Sequence, residues 1–425
     1  MAAMPDALLI ASAVGLAFTA NALRPSRNVY LSVPTFFAAW LTIELAPQLL
    51  GLLVAVTAIL VANGALGEAT GIIGLALTVP IAAGLTSLIV EARRVHHVME
   101  ASLQEALGDQ YVTHITPPRA PGYDPKLPLR QLLRPFKLRH REVRRVRNLS
   151  YGPRGRRNRL DVYHHKDEPS GAPTLLYVHG GAWAVSNKNH QGKPLMLHLA
   201  SRGWTCFTIN YPLSPRAAWP EHIIDVKRAI AWVREHGHEY GADTSFIAIT
   251  GGSAGGHLAA LAALTANESE YQPGFEDADT SVQAAMPHYG VYDFTNDSGL
   301  KAAESRLLFL ERVVLKARIM DAREEFLKAS PVHRVHDEAP PFFVVHGTFD
   351  SLAAVEEARD FVGKLRAVSK QPVAYAELPG AHHAFDVFHS IRSAHAVRGI
   401  ERFADWCWTR HNERRAAPEA PQAQR

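Results

Sequence analysis

The sequence of 425 residues is poor in cysteine and lacks the common metal and nucleotide motifs. Its two cysteines, Cys206 and Cys407, fall in runs whose patterns indicate a buried strand and a helix. Two such residues do not build a disulfide framework, and they leave the redox compartment open. There is no H-E-x-x-H, no G-x-x-x-x-G-K-[ST] and no Cys/His set with zinc spacing. We therefore expect no metal ion and no nucleotide or other cofactor.

Charge is almost missing from the first ninety residues, where long apolar runs stand out instead. Residues 7–23 and 72–90 are uncharged and have the length that a helix needs to cross a bilayer. A cleaved signal peptide is the alternative for the first run, because Ala20-Asn21-Ala22 resembles a cleavage site. However, residues 1–6 contain no Lys or Arg and further apolar runs follow, so we favour spanning helices.

The stretch between these runs, residues 33–66, is apolar except for Glu44. It is too long for one straight span and short for two. We expect one span centred on residues 49–61 and an interfacial segment over residues 34–44. Two aromatic residues are predicted to anchor that segment at the membrane surface, Tyr30 and Trp40. Because Glu44 is the sole ionisable residue of the stretch, a transport role is a weaker alternative to anchoring.

Arginines indicate on which side of the membrane the rest of the chain lies. They follow the first and last apolar runs as Arg24, Arg27, Arg93 and Arg94, whereas the turn at residues 63–70 has only Glu68. Since positively charged loops stay in the cytoplasm, three spans place the C-terminal domain there. A fourth span would reverse this orientation. The predicted localisation is therefore a multi-pass membrane protein with three spans and a cytoplasmic domain.

The chain has a net charge of +4 and a pI near 9.0, and arginine is concentrated between residues 130 and 159. A basic stretch beside an apolar region favours contact with a membrane surface, and a solvated basic face is the alternative. No nucleic-acid-binding motif accompanies the charge, so the expected partner is a lipid bilayer and no nucleic acid. Four parts are predicted: a membrane-spanning helical region (1–109), a Pro/Arg-rich linker or cap segment (110–142), a catalytic domain (143–412) and a disordered tail (413–425).

From residue 143 onward, short β-rich runs alternate with helical patterns. The predicted strands are residues 143–151, 160–164, 174–178, 205–209, 246–250, 282–286, 342–345 and 373–377. The predicted helices are residues 193–201, 221–236, 255–265, 355–368 and 391–409. Strands and helices that alternate at these lengths indicate an α/β fold, with a mostly parallel central sheet flanked by helices on both faces.

The sharpest local motif is Gly251-Gly252-Ser253-Ala254-Gly255, which lies between a predicted strand and a predicted helix. A serine on such a tight turn adopts a strained backbone, and only small neighbours let strand and helix approach closely enough. Ser253 is therefore the candidate nucleophile, and the N-terminus of the following helix favours the negative charge that develops in acyl transfer. The alternative is a glycine-rich helix start that Ser253 caps.

A second glycine-rich loop, His179-Gly180-Gly181-Ala182-Trp183, follows an apolar strand upstream of Ser253. Adjacent glycines leave backbone amides uncovered, and such amides stabilise the oxyanion of a tetrahedral intermediate. The predicted oxyanion-hole donors are the N–H groups of Gly180, Gly181, Ala182 and Ala254. The alternative is an ordinary Gly-Gly turn. We expect His179 to brace the loop by hydrogen bonding rather than to transfer protons.

A serine nucleophile needs a base, and an imidazole base needs a carboxylate that fixes its tautomer. Asp350 follows the predicted strand 342–345 and His383 follows the predicted strand 373–377, each on a loop at a strand's C-terminal end. The order Ser253, Asp350, His383 is that of α/β-hydrolases. Other candidates are His382 and His389 for the base, and Asp293, Glu377 and Asp386 for the acid.

Taken together, these motifs resemble those of the hormone-sensitive-lipase-like carboxylesterases over residues 143–409. Further similar motifs are Leu160-Asp161-Val162-Tyr163 and Tyr211-Pro212-Leu213-Ser214-Pro215. The chain departs from the family at Pro212, where the family usually has an arginine, and at Ala182, where many members have a third glycine. With its apolar N-terminus the chain is similar to membrane-bound actinobacterial carboxylesterases. Its His179 loop also resembles that of prenylcysteine methylesterases and arylformamidases.

The resemblance implies an α/β-hydrolase fold and hydrolysis of a small-molecule or lipid ester. Ser253 would attack the ester carbonyl while His383 accepts its proton and Asp350 orients His383. An arylformamidase or prenylcysteine methylesterase would share these residues and differ only in the shape of its pocket. A hydrolase-fold membrane protein without enzymatic activity is the other alternative, although it would not need an intact triad. No motif indicates the acyl-chain preference or the oligomeric state.

Overall fold

A computed structural model of the chain describes residues 3–25, 32–118 and 126–417. The predicted anchor Tyr30 and Arg27 lie outside the described residues, as do residues 418–425 of the predicted tail. The described part consists of a bundle of apolar N-terminal helices and an eight-stranded sheet that is flanked by helices.

The N-terminal bundle contains α1 (Ala3–Leu23), α2 (Ser32–Glu44), α3 (Ala46–Ala62) and α4 (Ala69–Leu107). Among the described residues, α1 and α4 are each long and apolar enough to cross a membrane. Helices α2 and α3 are bent by 84°, and counting this pair as one span raises the number to three. Pro47 at the start of α3 accounts for the break, because its ring nitrogen cannot donate the hydrogen bond that would continue α2.

Small residues allow α1 and α4 to pack closely in parallel directions. A Cβ atom added to Gly74 would lie 2.7 Å from the backbone nitrogen of Leu9, and one added to Gly84 would lie 2.5 Å from Thr19 Cγ2. Glycine at such positions is typical of helix pairs within membranes. An apolar cavity of about 480 Å³ lies between the four helices, and none of the described residues that line it is a predicted catalytic residue.

The sheet has the strand order β1-β2-β4-β3-β5-β6-β7-β8. Strand β2 pairs with β1 and β4 in antiparallel directions, and all pairs from β4 to β8 are parallel. This arrangement confirms the predicted mostly parallel sheet. The strands are β1 (Val143–Ser150), β2 (Arg159–His165), β3 (Ala172–Val178), β4 (Thr205–Ile209), β5 (Ala242–Gly252), β6 (Ala284–His288), β7 (Phe342–Gly347) and β8 (Val373–Leu378).

Helices cover both faces of the sheet, so its central strands are buried on both sides. In β3, Leu176 and Val178 belong to one hydrophobic core, whereas Leu175 and Tyr177 belong to the other. Burial on both faces explains the continuous apolar runs from which these strands were predicted. The helices are α5 (Leu129–Leu132), α6 (Lys193–Ser201), α7 (Glu221–His236), α8 (Ala254–Leu264), α9 (Lys301–Phe309), α10 (Arg323–Lys328), α11 (Val355–Val368) and α12 (Ile391–Ala416).

Helix α4 belongs to both parts of the molecule. Its C-terminal half packs into the core of the sheet domain, where a Cβ atom on Gly399 of α12 would lie 2.3 Å from Met99 Cε. The bundle and the sheet domain are thus joined by a continuous helix. Helix α12 also runs to Ala416, past the predicted start of the tail at residue 413, and Arg415 in its last turn donates to Asp243 and Ser245.

Candidate active site

Ser253 lies on the tight turn between β5 and α8, as the glycine-rich motif predicts. Its backbone has φ 58° and ψ −124°, a conformation that a non-glycine residue adopts only when its surroundings enforce it. The carbonyl of His288 at the end of β6 accepts the N–H of Ser253 at 3.0 Å. This bond holds the turn from the side of the sheet.

The glycines of the motif allow β3, β5 and α8 to approach one another. A Cβ atom on Gly251 would lie 2.4 Å from the carbonyl oxygen of Val178, and one on Gly255 would lie 2.1 Å from the same atom. Side chains at either position would therefore push the turn away from β3. On the other side, a Cβ atom on Gly252 would meet the hydroxyl of Tyr289 at 2.4 Å.

The second glycine-rich loop lies directly beside Ser253. A Cβ atom on Gly180 would approach the Cβ atom of Ser253 to 3.0 Å. Gly181 and Ala182 have φ values of 112° and 50°, so this loop, too, has an unusual backbone. Its end is fixed because Trp183 donates from Nε1 to His257 Nδ1 at 3.1 Å.

The amide of Gly180 departs from its predicted role as a hydrogen-bond donor to the oxyanion. Its N–H donates to Gln191 Oε1 at 2.7 Å, so this amide already has an acceptor within the protein. No described acceptor takes the N–H groups of Gly181, Ala182 and Ala254, which leaves these three as candidates. The sequence did not reveal Gln191, because a lone glutamine eleven residues beyond Gly180 carries no recognisable pattern.

His179 occupies the predicted bracing position before this loop. It is fully buried, its ring stacks on Tyr211 with centroids 4.4 Å apart, and its Nδ1 lies 2.7 Å from the carbonyl oxygen of Gly180. Burial lowers the pKa of His179 to about 4, so the ring is neutral at pH 7.

His383 and Asp350 are brought together from two neighbouring loops. His383 Nδ1 lies 2.7 Å from Asp350 Oδ2, although 33 residues separate them in the chain. The other oxygen, Oδ1, accepts the N–H groups of Leu352 and Ala353, each at 2.9 Å. These two bonds therefore fix the orientation of the carboxylate that contacts the imidazole.

A second histidine also contacts the same carboxylate. His346 Nε2 lies 3.2 Å from Asp350 Oδ2, and both side chains are fully buried. Burial alone would raise the pKa of Asp350, but His383 and His346, through their charge and hydrogen bonds, together hold it well below its usual range. Asp350 is therefore ionised throughout the pH range in which a histidine titrates.

The two alternative bases are held in other interactions. His382 accepts the N–H of His383 at Nδ1 at 2.7 Å, and burial lowers the pKa of His382 to about 4. His389 lies further along the loop, where its N–H donates to the carbonyl of Pro135 and burial lowers its pKa. Neither arrangement resembles the pairing of His383 with a buried carboxylate.

The alternative acids are engaged as well. Asp293 accepts the N–H and hydroxyl of Thr295 and shapes its own loop. Glu377 on β8 forms an ion pair with Arg359. Asp386 belongs to a separate buried cluster, in which it accepts from His288 Nδ1 at 2.8 Å and from the hydroxyl of Tyr289.

Tyr289 links this cluster to the candidate catalytic residues. Its ring lies 4.7 Å from the ring of His383 and 5.2 Å from that of Phe385, measured between centroids. Burial raises the pKa of Tyr289 well above its ordinary value, so the hydroxyl stays protonated and donates to Asp386. The His288–Asp386 pair escaped sequence analysis because its partners are 98 residues apart and lie in no shared motif.

Helix α2 contacts the His383 loop, which the sequence did not indicate. Trp40 donates from Nε1 to the carbonyl oxygen of Ala384 at 2.9 Å, and the ring of Phe36 lies 4.9 Å from that of His382. The indole N–H of Trp40 thus has an acceptor inside the protein, and its role as a membrane-interface anchor stays a prediction. At the end of α2, Glu44 accepts the hydroxyl of Ser390 at 2.6 Å.

Among the described residues, no group of three or more His, Cys, Asp or Glu side chains is arranged to hold a metal ion. Both cysteines are buried and unpaired. The chemistry that these groups support is nucleophilic attack by a hydroxyl, with a neutral imidazole as base and backbone amides as donors to an oxyanion.

Comparisons with known proteins give relatives that are named as ester hydrolases. The BD-FAE family matches residues 160–365. The probable carboxylic ester hydrolase LipM of Mycobacterium tuberculosis (strain ATCC 25618 / H37Rv) is 45% identical over 406 residues, which cover 93% of this chain and 92% of LipM. Esterase LipQ of the same strain is 51% identical over 258 residues, covering 60% of this chain and 61% of LipQ.

A solved structure of inhibited esterase B from Lactobacillus rhamnosis has a TM-score of 0.55 and 18% identity, and the match covers 65% of this chain and 90% of that one. At this identity the likeness shows the fold alone. Sheet order, serine turn and strand-end loops define the class as an α/β-hydrolase. The LipM match spans nearly the whole of both chains and confirms the resemblance read from the motifs. The chain belongs to the hormone-sensitive-lipase-like family of carboxylic ester hydrolases.

Proposed function

We propose that the chain is a membrane-anchored serine carboxylesterase that forms an acyl-enzyme on Ser253. His383 accepts the serine proton as Oγ attacks the ester carbonyl, and it then protonates the departing alcohol. Water attacks the acyl-enzyme in the second step, and the same imidazole removes the proton of that water. The carboxylic acid product leaves, and Ser253 regains its hydroxyl hydrogen from His383.

The observation that carries this proposal is the contact of 2.7 Å between His383 Nδ1 and a carboxylate that is buried and ionised. This contact selects the tautomer in which Nδ1 carries the hydrogen and Nε2 can accept a proton. Tyr289 supports both sides of the site, since it borders Gly252 before the serine and packs on the His383 ring.

The amides of Gly181, Ala182 and Ala254 would stabilise the oxyanion of each tetrahedral intermediate. Ala254 begins α8, so its N–H stands at the positive end of the helix dipole. The fixed loop conformation means that these donors need no rearrangement as charge develops, and removing one such donor costs about 10²- to 10³-fold in kcat in known cases.

We further propose that α1, α3 and α4 cross the bilayer and α2 lies at its surface, next to the catalytic domain. The 84° bend between α2 and α3 suits this arrangement. The segment beside α3 supports it, because Leu129, Leu133 and Phe136 are exposed there, while Gln48 of α3 donates to the carbonyl of Leu132. Exposed basic residues alternate with these apolar side chains, as a membrane surface favours: Arg130, Arg134 and Lys137.

The catalytic domain would face the cytoplasm in this topology. Arg24, Arg93 and Arg94 lie at its end of the bundle, whereas the turn between α3 and α4 at the far end carries only Glu68. This charge difference follows the rule that short positive loops remain in the cytoplasm.

The proposal is tested by replacing Ser253 with alanine in the full-length, membrane-reconstituted protein. We expect hydrolysis of 4-nitrophenyl butyrate to fall by about 10⁶-fold, because a nucleophile lost alone costs about as much as a whole triad. A fluorophosphonate probe should label the unchanged protein and fail to label Ser253→Ala. Wild-type hydrolysis by Ser253→Ala, with an unchanged melting temperature, would refute the proposed mechanism.

The same assay separates the related acyl hydrolases. A panel of esters of increasing acyl length, together with an aryl formamide and a prenylcysteine methyl ester, is compared at matched concentrations with Ser253→Ala as the blank. A kcat/KM for an acyl ester at least tenfold above those of the last two compounds is expected of a carboxylesterase. A higher value for either of those compounds would favour the corresponding alternative activity.

A further inference from the structure

Helix α2 touches the segment that carries His383 at three separate points. The first is the hydrogen bond of 2.9 Å from Trp40 Nε1 to the carbonyl oxygen of Ala384, the residue directly after His383. Ala384 has a φ of 62°, which is unusual for a residue with a side chain. The backbone after His383 is therefore held in a conformation that it would not readily adopt by itself.

The second point is aromatic packing against the histidine rings. Phe36 is buried, and its ring lies edge-on to His382 at 4.9 Å and to His383 at 6.2 Å. The Trp40 ring in turn contacts Phe388 at 5.2 Å, at the far end of the same loop. One face of α2 thus follows the loop from His382 to Phe388.

The third point fixes the end of the loop, where α12 begins. Glu44 accepts the hydroxyl of Ser390 at 2.6 Å, while that hydroxyl also accepts the N–H of Ser393 and caps α12. Arg392, fully buried, lies 3.7 Å from Glu44. The acidic group that stands out in the apolar stretch therefore joins α2 to the start of α12.

We propose that α2 positions the His383 loop from the membrane side, with Trp40 as the positioning residue. The inference rests on the proposed role of His383 as the base. Trp40 does not face Ser253 in any described contact and acts through the Ala384 carbonyl, so its effect falls on the placement of the imidazole. The apolar N-terminal region then supports the His383 loop as well as anchoring the protein.

The test is Trp40→Phe in the full-length protein reconstituted in nanodiscs, since phenylalanine keeps an aromatic ring and has no N–H donor. With 4-nitrophenyl butyrate we expect kcat to fall by about 10- to 100-fold, the loss typical of a misplaced catalytic group. KM should stay within about twofold of wild type, because Trp40 does not touch the substrate. The rate of labelling by a fluorophosphonate should fall in parallel with kcat.

Trp232→Phe is the matched control, because Trp232 packs against His236 on α7, away from the catalytic loops. It should leave kcat, KM and labelling unchanged. If Trp40→Phe matches wild type in kcat and labelling, the positioning role is overturned even though Ser253→Ala is inactive. Activity in Ser253→Ala would instead overturn the underlying mechanism.

Phe36→Leu provides a second variant in case Trp40→Phe does not fold, as judged by melting temperature. It removes the aromatic contact with His382 and His383 while keeping an apolar side chain in place. A lower kcat with unchanged KM supports the inference. Wild-type kcat and labelling for a folded Phe36→Leu, when Trp40→Phe is unfolded, count against it.

Discussion

Within the described part of the chain, two buried histidines contact a carboxylate through Nδ1 with nearly the same geometry. His383 Nδ1 lies 2.7 Å from Asp350, and His288 Nδ1 lies 2.8 Å from Asp386. The first histidine stands on a loop and keeps 7% of its side chain exposed, whereas the second ends strand β6 and is fully enclosed. A short histidine–carboxylate contact therefore does not by itself mark a catalytic pair.

The surroundings of the two carboxylates explain the difference. Asp350 accepts two backbone N–H groups and contacts two histidines, His383 and His346. Asp386 accepts the hydroxyl of Tyr289 together with His288, and Phe385 stacks near the His288 ring. The His288–Asp386 pair is thus buried next to the serine turn. The carbonyl of His288 holds this turn by accepting the N–H of Ser253.

The largest predicted contrast comes from replacing each histidine with asparagine. The asparagine amide can keep the bond to the carboxylate, but it has no group in the place of Nε2. We expect His383→Asn to lower kcat by about 10⁴- to 10⁶-fold, as the loss of a catalytic base does. His288→Asn should keep kcat within about tenfold, because His288 contributes a fixed backbone and buried packing.

This contrast is measured by steady-state hydrolysis of 4-nitrophenyl butyrate, with thermal melting as the check on folding. The comparison would break down if folded His288→Asn were as inactive as His383→Asn. In that case the second pair would share in proton transfer.

The next contrast comes from the carboxylates. Asp350→Asn should lower kcat by about 10⁴-fold, because an amide at this position donates to His383 Nδ1 and selects the wrong tautomer. Asp386→Asn should instead reduce stability by about 1–3 kcal/mol, the usual cost of disturbing a buried hydrogen-bonded group, with kcat nearly unchanged.

Urea unfolding of both variants, beside their turnover, separates the two effects. Equal losses of activity at equal stability would contradict the assignment of different roles to Asp350 and Asp386.

The smallest predicted contrast is in the pH dependence of kcat/KM. An imidazole base must be neutral to accept a proton, and imidazoles ordinarily titrate near about 6.5, so activity should fall about tenfold per unit below that range. The pKa of Asp350 is held far lower, so the carboxylate does not contribute to this acid limb. His382, with a pKa of about 4, is already neutral there, and His382→Asn should leave the limb in place.

The profile is recorded from pH 8 to pH 4 on wild type, His382→Asn and Asp386→Asn, and all three should show the same limb. A flat wild-type profile down to about pH 4 would argue against a histidine base. If the acid limb of the profile shifts only in Asp386→Asn, the group that titrates belongs to the His288–Asp386 pair.

Much of the fold could be predicted from local patterns. Strands β3 and β4 and helices α6, α7 and α11 stand close to their predicted positions, because burial on both faces of a parallel sheet imposes apolar runs of characteristic length. Helices α2 and α3 follow the predicted division of residues 33–66 into segments 34–44 and 49–61, but their angle of 84° was not predicted, since an apolar stretch does not show how its axis turns. In the structure, Pro47 at the start of α3 gives a local physical reason for the break.

Local patterns likewise predicted some residues of the candidate site and missed some of its contacts. Ser253, Asp350 and His383 were predicted because each follows a strand in a recognisable loop. The acceptor for the Gly180 amide and the partner of the Ala384 carbonyl were not, since Trp40 and Ala384 lie 344 positions apart. Their residue types are compatible with many other contacts, so no local pattern singles them out.

By itself, the sequence determined the α/β architecture, the family and the three residues expected to carry the chemistry. These features depend on short-range requirements: hydrophobic periodicity, small residues at a strained turn and polar groups at strand ends. The tertiary structure alone decided which histidine pairs with Asp350 and which with Asp386, which glycine amide has an acceptor within the protein, and that the apolar helix α2 contacts the histidine loop. Those outcomes depend on contacts between distant segments, which form only when the sheet, the loops and the N-terminal bundle pack together.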